Sequence, residues 1–142
     1  LGFVAEPENI NIELLNTFIE EGLVPVVAPM GIDSKGQIYN INADTAAGTI
    51  ANEINAERLL LMTDVPGVND KNGNLIPRLT IAEAEELIQN ETITGGMIPK
   101  IRTCISAIQG GVKGVVIIDG RKPHAVLHEL FSSTGAGTLI IQ

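Results

Sequence analysis

The chain has 142 residues, 44% hydrophobic, 18% charged and only 3% aromatic, and carries a formal charge of −8 at pH 7. That length suits one domain with a core of its own, and the scarcity of aromatic residues means that aliphatic side chains and alanine must fill it. Nine Lys plus Arg with no basic cluster argue against nucleic-acid or anionic-membrane binding, and apolar runs such as 59–62 and 115–118 fall well short of the roughly 20 residues that span a bilayer.

A soluble, single domain over residues 1–142 is therefore expected. The lone cysteine, Cys104, has no internal disulfide partner, which fits a reducing compartment. Leu1 stands where an initiator Met would be, so the chain is expected to begin within a longer product.

In chain order, Ile12, Leu15, Phe18 and Ile19 recur at helical spacing, and Gly22 follows where a left-handed cap fits. Residues 24–28 predict a strand. Pro29-Met30-Gly31 and the polar Asp33-Ser34-Lys35-Gly36 then predict a hairpin that returns through residues 37–41. A helix opens near Asp44 with Ala47, Ile50, Ala51 and Ile54 on its buried face. Residues 59–63 read as a strand buried on both sides. Asp70-Lys71-Asn72-Gly73-Asn74 forms a second hairpin turn, and Thr80 with Glu83 makes a capping box before Ile81, Ala84, Leu87 and Ile88. After Gly95-Gly96, the stripe Met97, Ile101, Cys104, Ile105 and Ile108 predicts a long helix ending at Gly110-Gly111. Residues 115–118 form the next buried strand, 123–131 a short helix and 138–141 a last strand. Helices alternating with strands predict an α/β fold, a three-layer α/β/α sandwich around a mainly parallel open sheet.

In such sheets ligands bind beyond the carboxyl ends of the strands. Two strand ends carry an aspartate and then glycine, in Asp64-Val65-Pro66-Gly67 and Asp119-Gly120-Arg121. Either could bring backbone amides to a ligand, and either could be ordinary turn chemistry. Asp44 has two readings, a helix N-cap or a carboxylate that orients ammonium groups at a reacting centre. Asn40 and Asn42, two apart on a strand, could both face one ligand. Lys100 falls in a first helical turn, where a cation opposes the helix dipole; a bound polyphosphate would compensate, and a solvated surface lysine is the plain alternative. There is no Walker-type loop, no G-x-G-x-x-G, no His-Glu zinc pattern and no Cys-x-x-Cys. His124 and His128 lack further ligands and read as surface or packing residues.

Taken in register, Asn40-Ile41-Asn42-Ala43-Asp44, Leu61-Met62-Thr63-Asp64-Val65-Pro66-Gly67 and Gly95-Gly96-Met97-Ile98-Pro99-Lys100 resemble the amino-acid kinase superfamily, and within it the acetylglutamate kinases. The likeness extends over essentially the whole chain and looks nearest to cyanobacterial and plastid members. It implies ATP-dependent phosphorylation, with Mg2+, of the side-chain carboxylate of N-acetyl-L-glutamate. By the same resemblance Lys100 would stabilise the transferring phosphoryl group and Asp44 would hold the catalytic lysines. Asn40 and Asn42 would meet the substrate. Asp64, Val65, Pro66, Gly67 and Val68 would border the nucleotide, with Thr92, Ile93, Thr94, Gly96 and Met97 closing over it. A substrate carboxylate has a pKa of about 4 and is already ionised at neutral pH, so no general base is required.

Members of this family are roughly twice as long. The resemblance therefore implies that residues 1–142 are the ATP-binding C-terminal half, that an N-terminal half carrying a further lysine and the acetylglutamate grip is absent, and that the chain alone binds nucleotide without turnover. It also implies a homo-oligomeric complete enzyme in the cytoplasm, or the plastid stroma in a photosynthetic eukaryote. Glu129 and Gly135 match an arginine effector site, although Val116 stands where some arginine-sensitive members have histidine, and a PII signalling protein is a further expected partner. Alternatives are a glutamate 5-kinase, an aspartate, carbamate or UMP kinase, and a non-catalytic regulatory module of the same fold.

Overall fold

The computed structural model describes residues 2–142; Leu1 lies outside the described residues. Five helices and six strands follow in the order α1 (Ile12–Glu20), β1 (Met30–Ile32), β2 (Ile38–Asn40), α2 (Ala43–Glu53), β3 (Arg58–Thr63), β4 (Arg78–Thr80), α3 (Ile81–Gln89), α4 (Met97–Gln109), β5 (Gly114–Asp119), α5 (Ala125–Phe131) and β6 (Gly137–Ile141). The principal sheet has the order β3-β5-β6-β4, and β1 and β2 form a separate antiparallel hairpin.

Strand β5 is buried along its whole length, which its unbroken run of valine and isoleucine makes possible. Val115 and Ile117 point into the larger core with Leu59, Leu61 and Ile140, against α2, α3 and α4. Val116 and Ile118 point to the opposite face, where Ala125 of α5 and the half-buried Leu60 and Leu139 meet them. The period-two alternation of one strand thus holds helices on both faces, giving the three layers.

The sheet is mixed. β3 with β5 and β4 with β6 pair parallel, while β5 and β6 pair antiparallel. The chain leaves β5, runs through the short α5 and returns alongside, so Thr138 lies opposite Ile117 and the start of β6 sits beside the end of β5. Short β4 was not among the predicted strands; three residues at a sheet edge offer almost no period to read.

The expected strand at residues 24–28 does not form: no strand or bridge includes these residues, and Val24 and Val26 are 86% and 96% exposed. Their β-branched side chains favour extended backbone, but among the described residues no strand lies alongside to complete a ladder. Helix α1 buries none of its residues and leaves Leu14, Phe18 and Ile19 exposed. Its end follows the sequence reading, with Gly22 at φ +76°, Gly22 N–H donating to Ile19 O and Leu23 N–H to Phe18 O. Among the described residues no helix is long and apolar enough to cross a membrane.

The capping box on α3 forms as expected: Thr80 Oγ1 accepts from Glu83 N–H at 3.2 Å, and Glu83 Oε2 accepts from Thr80 N–H at 2.7 Å. Thr80→Ala is expected to destabilise the chain by about 1 kcal/mol, read from the urea midpoint at constant m-value.

Candidate functional site

Only short connections, residues 54–57 and 110–113, separate α2 from β3 and α4 from β5. Each helix therefore runs back along the strand that follows it, and the first turns of α2 and α4 lie at the carboxyl ends of β3 and β5. Gly48, buried in α2, makes the approach of the two helices possible; a Cβ there would stand 3.3 Å from Thr103 Cγ2 of α4.

At that edge Lys100 and Asp44, 56 residues apart in sequence, meet: Lys100 Nζ donates to Asp44 Oδ2 at 2.5 Å, with side chains 15% and 29% exposed. The lysine sits in the first turn of α4, and the carboxylate in the first turn of α2, as the sequence indicated. Asp44 is not the cap. That place belongs to Asn42, whose Oδ1 accepts from Asp44 N–H at 2.9 Å and Thr45 N–H at 3.1 Å. Both residues are good cap formers, and Asn42, on extended backbone just before the first helical residue, is placed to take the amides, which frees the aspartate for the lysine.

This corrects the expectation that Asn40 and Asn42 share a strand. Strand β2 ends at Asn40, whose N–H donates to Phe3 O, whereas Asn42 has left the strand and its oxygen is committed to the helix. Asn40 is exposed.

The start of α4 has little spare donor capacity. Gly96 gives no side-chain cap, Met97 and Ile98 N–H donate to Thr94 O at 3.3 Å and Gly95 O at 3.2 Å, and Pro99 has no N–H. Thr92 is tied through its N–H and Oγ1 to Asn90 Oδ1. Ile93 is buried in the core, so it can offer a ligand only its backbone, and Thr94, Gly96 and the half-buried Met97 line the approach to the helix.

At the end of β3, Thr63 Oγ1 donates to Asp64 Oδ1 at 3.3 Å, and Gly120 N–H reaches across to Thr63 O at 2.8 Å. Asp64 is exposed, Val65 and Pro66 are half-buried, and Gly67 and Val68 are buried. Beside them Asp119, 5% exposed, binds its own second neighbour: Arg121 Nε donates to Asp119 Oδ1 at 2.9 Å, Nη2 to Oδ2 at 3.0 Å, and the Arg121 N–H to Oδ1 at 3.0 Å. The Arg121 hydrogen bonds hold the Asp119 carboxyl down to about 2, and Asp119, with a smaller contribution from Asp64, raises the guanidinium. Sequence reasoning marked Asp119 and Arg121 but not this fold-back, since only the turn geometry brings the fork onto the carboxylate.

Near the pair, burial pushes the Cys104 thiol up to about 12, so it stays protonated. Elsewhere Glu129 Oε2 accepts from Ala136 N–H at 2.6 Å, and Gly135, at φ +68°, packs against that carboxylate. Both line a cavity of about 410 Å³ with Arg58 and Arg78. His124 adopts a left-handed conformation before α5, and among the described residues no group of three or more His, Cys, Asp or Glu is placed to hold a metal.

Fold and site together define a member of one enzyme superfamily. Residues 2–119 match the profile of the amino acid kinase family, and the chain belongs to that family. It is 58% identical to the acetylglutamate kinase of Rhodopseudomonas palustris strain BisB18 and 57% identical to that of Acidiphilium cryptum strain JF-5, in each case over 99% of this chain and 47% of the relative. The chain thus spans about half the length of these relatives. Among solved structures it is similar to N-acetylglutamate synthase from Neisseria gonorrhoeae complexed with coenzyme A and L-arginine, with TM-score 0.89 and 27% identity over 94% of this chain and 31% of that one. Carbamate kinase from Giardia lamblia bound to AMP-PNP shares the fold, with TM-score 0.72 and 20% identity over 97% of this chain and 46% of that one.

Asp119→Asn should flatten the acid limb of stability. A carboxyl held below its ordinary 3.8 stabilises the fold above that pH and loses its contribution as pH falls toward about 2. Circular dichroism between pH 4 and 2 is expected to show a steeper loss for wild type than for the variant.

Proposed function

We propose that this chain is the ATP-binding C-terminal half of an acetylglutamate kinase, whose complete form transfers the γ-phosphoryl group of ATP to the side-chain carboxylate of N-acetyl-L-glutamate. The observation that carries this reading is the ion pair of Lys100 with Asp44 at the ends of the strands, in a chain 58% identical to enzymes of that name.

The acceptor carboxylate is ionised at neutral pH, so its oxygen attacks the γ-phosphorus directly while the bond to the leaving ADP oxygen breaks. Two anions must be brought together and charge on the phosphoryl oxygens must be met. Lys100 supplies a fixed ammonium for this. Asp44 holds that ammonium in place between turnovers, and Asn42, by capping α2, fixes Asp44. Asp64 through Val68 border the nucleotide, with Thr92 to Thr94, Gly96 and Met97 closing over it. Mg2+ would arrive with the polyphosphate and would neutralise part of its charge. Asn40 faces the acetylglutamate, and the remaining grip on that substrate lies in an N-terminal half. The bacterial relatives support a cytoplasmic location.

Glu129 and Gly135, in the cavity with Arg58 and Arg78, support an arginine effector site, where Glu129 Oε1 would take the guanidinium while Oε2 keeps the Ala136 amide. The family likeness adds homo-oligomeric assembly and a PII partner. A second reading, a non-catalytic domain of the same fold, draws on the likeness to the synthase; the paired lysine at a helix start favours the kinase.

Calorimetry with magnesium ATP is expected to give one site on the 142-residue chain, and no binding would count against the kinase. In an enzyme of full family length, Lys100→Ala should lower kcat by about 10²-fold or more while ATP affinity stays within about threefold. Near-normal turnover of that variant would remove Lys100 from the chemistry.

A further inference from the structure

Thr138, in β6, is fully buried and is not among the residues assigned above to the nucleotide or the substrate. Its hydroxyl does two things at once: Oγ1 accepts from Val68 N–H at 2.8 Å and donates to Ile76 O at 2.6 Å. Val68 and Ile76 are the two feet of a small hairpin, joined by Ile76 N–H to Val68 O at 2.8 Å and closed at its tip by Asp70 N–H to Asn74 O at 2.8 Å. One side chain in another strand therefore clamps both feet.

The clamp also sets the residue before it. Gly67 has φ +149°, and a Cβ there would stand 2.5 Å from Thr138 Oγ1 and 3.0 Å from Thr138 N, so the backbone of the loop lies directly on β6. Residues 64–68 are consequently held at two points, at Thr63 by the Gly120 amide and at Val68 by the Thr138 hydroxyl.

The geometry points to Thr138 as a positioning residue for the nucleotide loop, setting the path of residues 64–68 from beneath without touching the ligand. This rests on the nucleotide reading given above. The task needs one small side chain that is donor and acceptor together. Serine meets that requirement; valine has the same outline and meets neither half, leaving a buried amide and a buried carbonyl unpaired.

The test is calorimetry with magnesium ATP on the full 142-residue chain as wild type, Thr138→Ser and Thr138→Val, at a temperature where circular dichroism shows all of them folded. Thr138→Ser should bind within about threefold of wild type and Thr138→Val about tenfold or more weakly. A purely structural role would lower the melting temperature of Thr138→Val and leave its affinity equal to that of Thr138→Ser, which overturns the assignment. Should Thr138→Val not fold, amide exchange on the wild type decides. The Val68 amide is expected to be protected without nucleotide, with the Val65 and Gly67 amides gaining protection when ATP is added, whereas a Val68 amide exchanging like a free loop overturns it. A wild-type chain that binds no ATP overturns the kinase reading and this inference together; binding by wild type with no difference between the variants overturns only the role of Thr138.

Discussion

The contact between Lys100 and Asp44 holds the candidate site together. A lysine in the first turn of α4 opposes the helix dipole, while an aspartate in the first turn of α2 is favoured by it. Bringing them together cancels the unfavourable half with the favourable one, and it does so at an edge where the side chains are 15% and 29% exposed, enough desolvation to strengthen the attraction without isolating either charge. The distance is set by each residue's own helix: Gly48 thinning the α2 surface, Asn42 taking the capping role from Asp44, and the apolar stripe of α4 seating that helix on the sheet. The ion pair holds the Lys100 ammonium in one place, and under the proposed kinase reading a polyphosphate would compete with Asp44 for it.

Much of this was legible in the residues because the signals were local and periodic. The run through β5 announced a strand buried on both faces, Thr80 with Glu83 announced a helix start, and the repeat from Met97 to Ile108 announced α4. Lys100 was legible as an oddity, a cation at the wrong end of a helix. What failed was information that resides in partners. Residues 24–28 have strand-forming side chains, but a strand is defined by a neighbour, and β4 is a strand only because β6 lies beside it. The cap on α2 was misassigned by two residues because Asn42 and Asp44 satisfy the same composition rule, and only backbone geometry decides which oxygen reaches the amides. The antiparallel placement of β6 likewise follows from the route of the chain after α5, not from any property of its own residues.

The strand ends show a shared pattern. At each, a hydrogen bond fixes a loop: the Arg121 side chain folds back onto the buried Asp119, the Gly120 backbone amide reaches across to Thr63, and the Thr138 hydroxyl holds Val68 and Ile76. Loops at a carboxyl edge carry few apolar contacts of their own, so their order must come from hydrogen bonds anchored in the sheet. Such hydrogen bonds order the loops in a protein with only 3% aromatic residues, where few large rigid side chains are available to brace them.

The bare valines at residues 24–27 have a practical consequence for anyone handling the chain in solution. Backbone with no ladder partner leaves its amides and carbonyls to water, and its β-branched side chains are of the kind that stack well against copies of themselves. Pro25 and Pro29 interrupt the row of donors and so act as gatekeepers against long cross-molecular sheets. Concentration and temperature therefore bear more heavily on this short stretch than on the tightly interleaved sheet behind it.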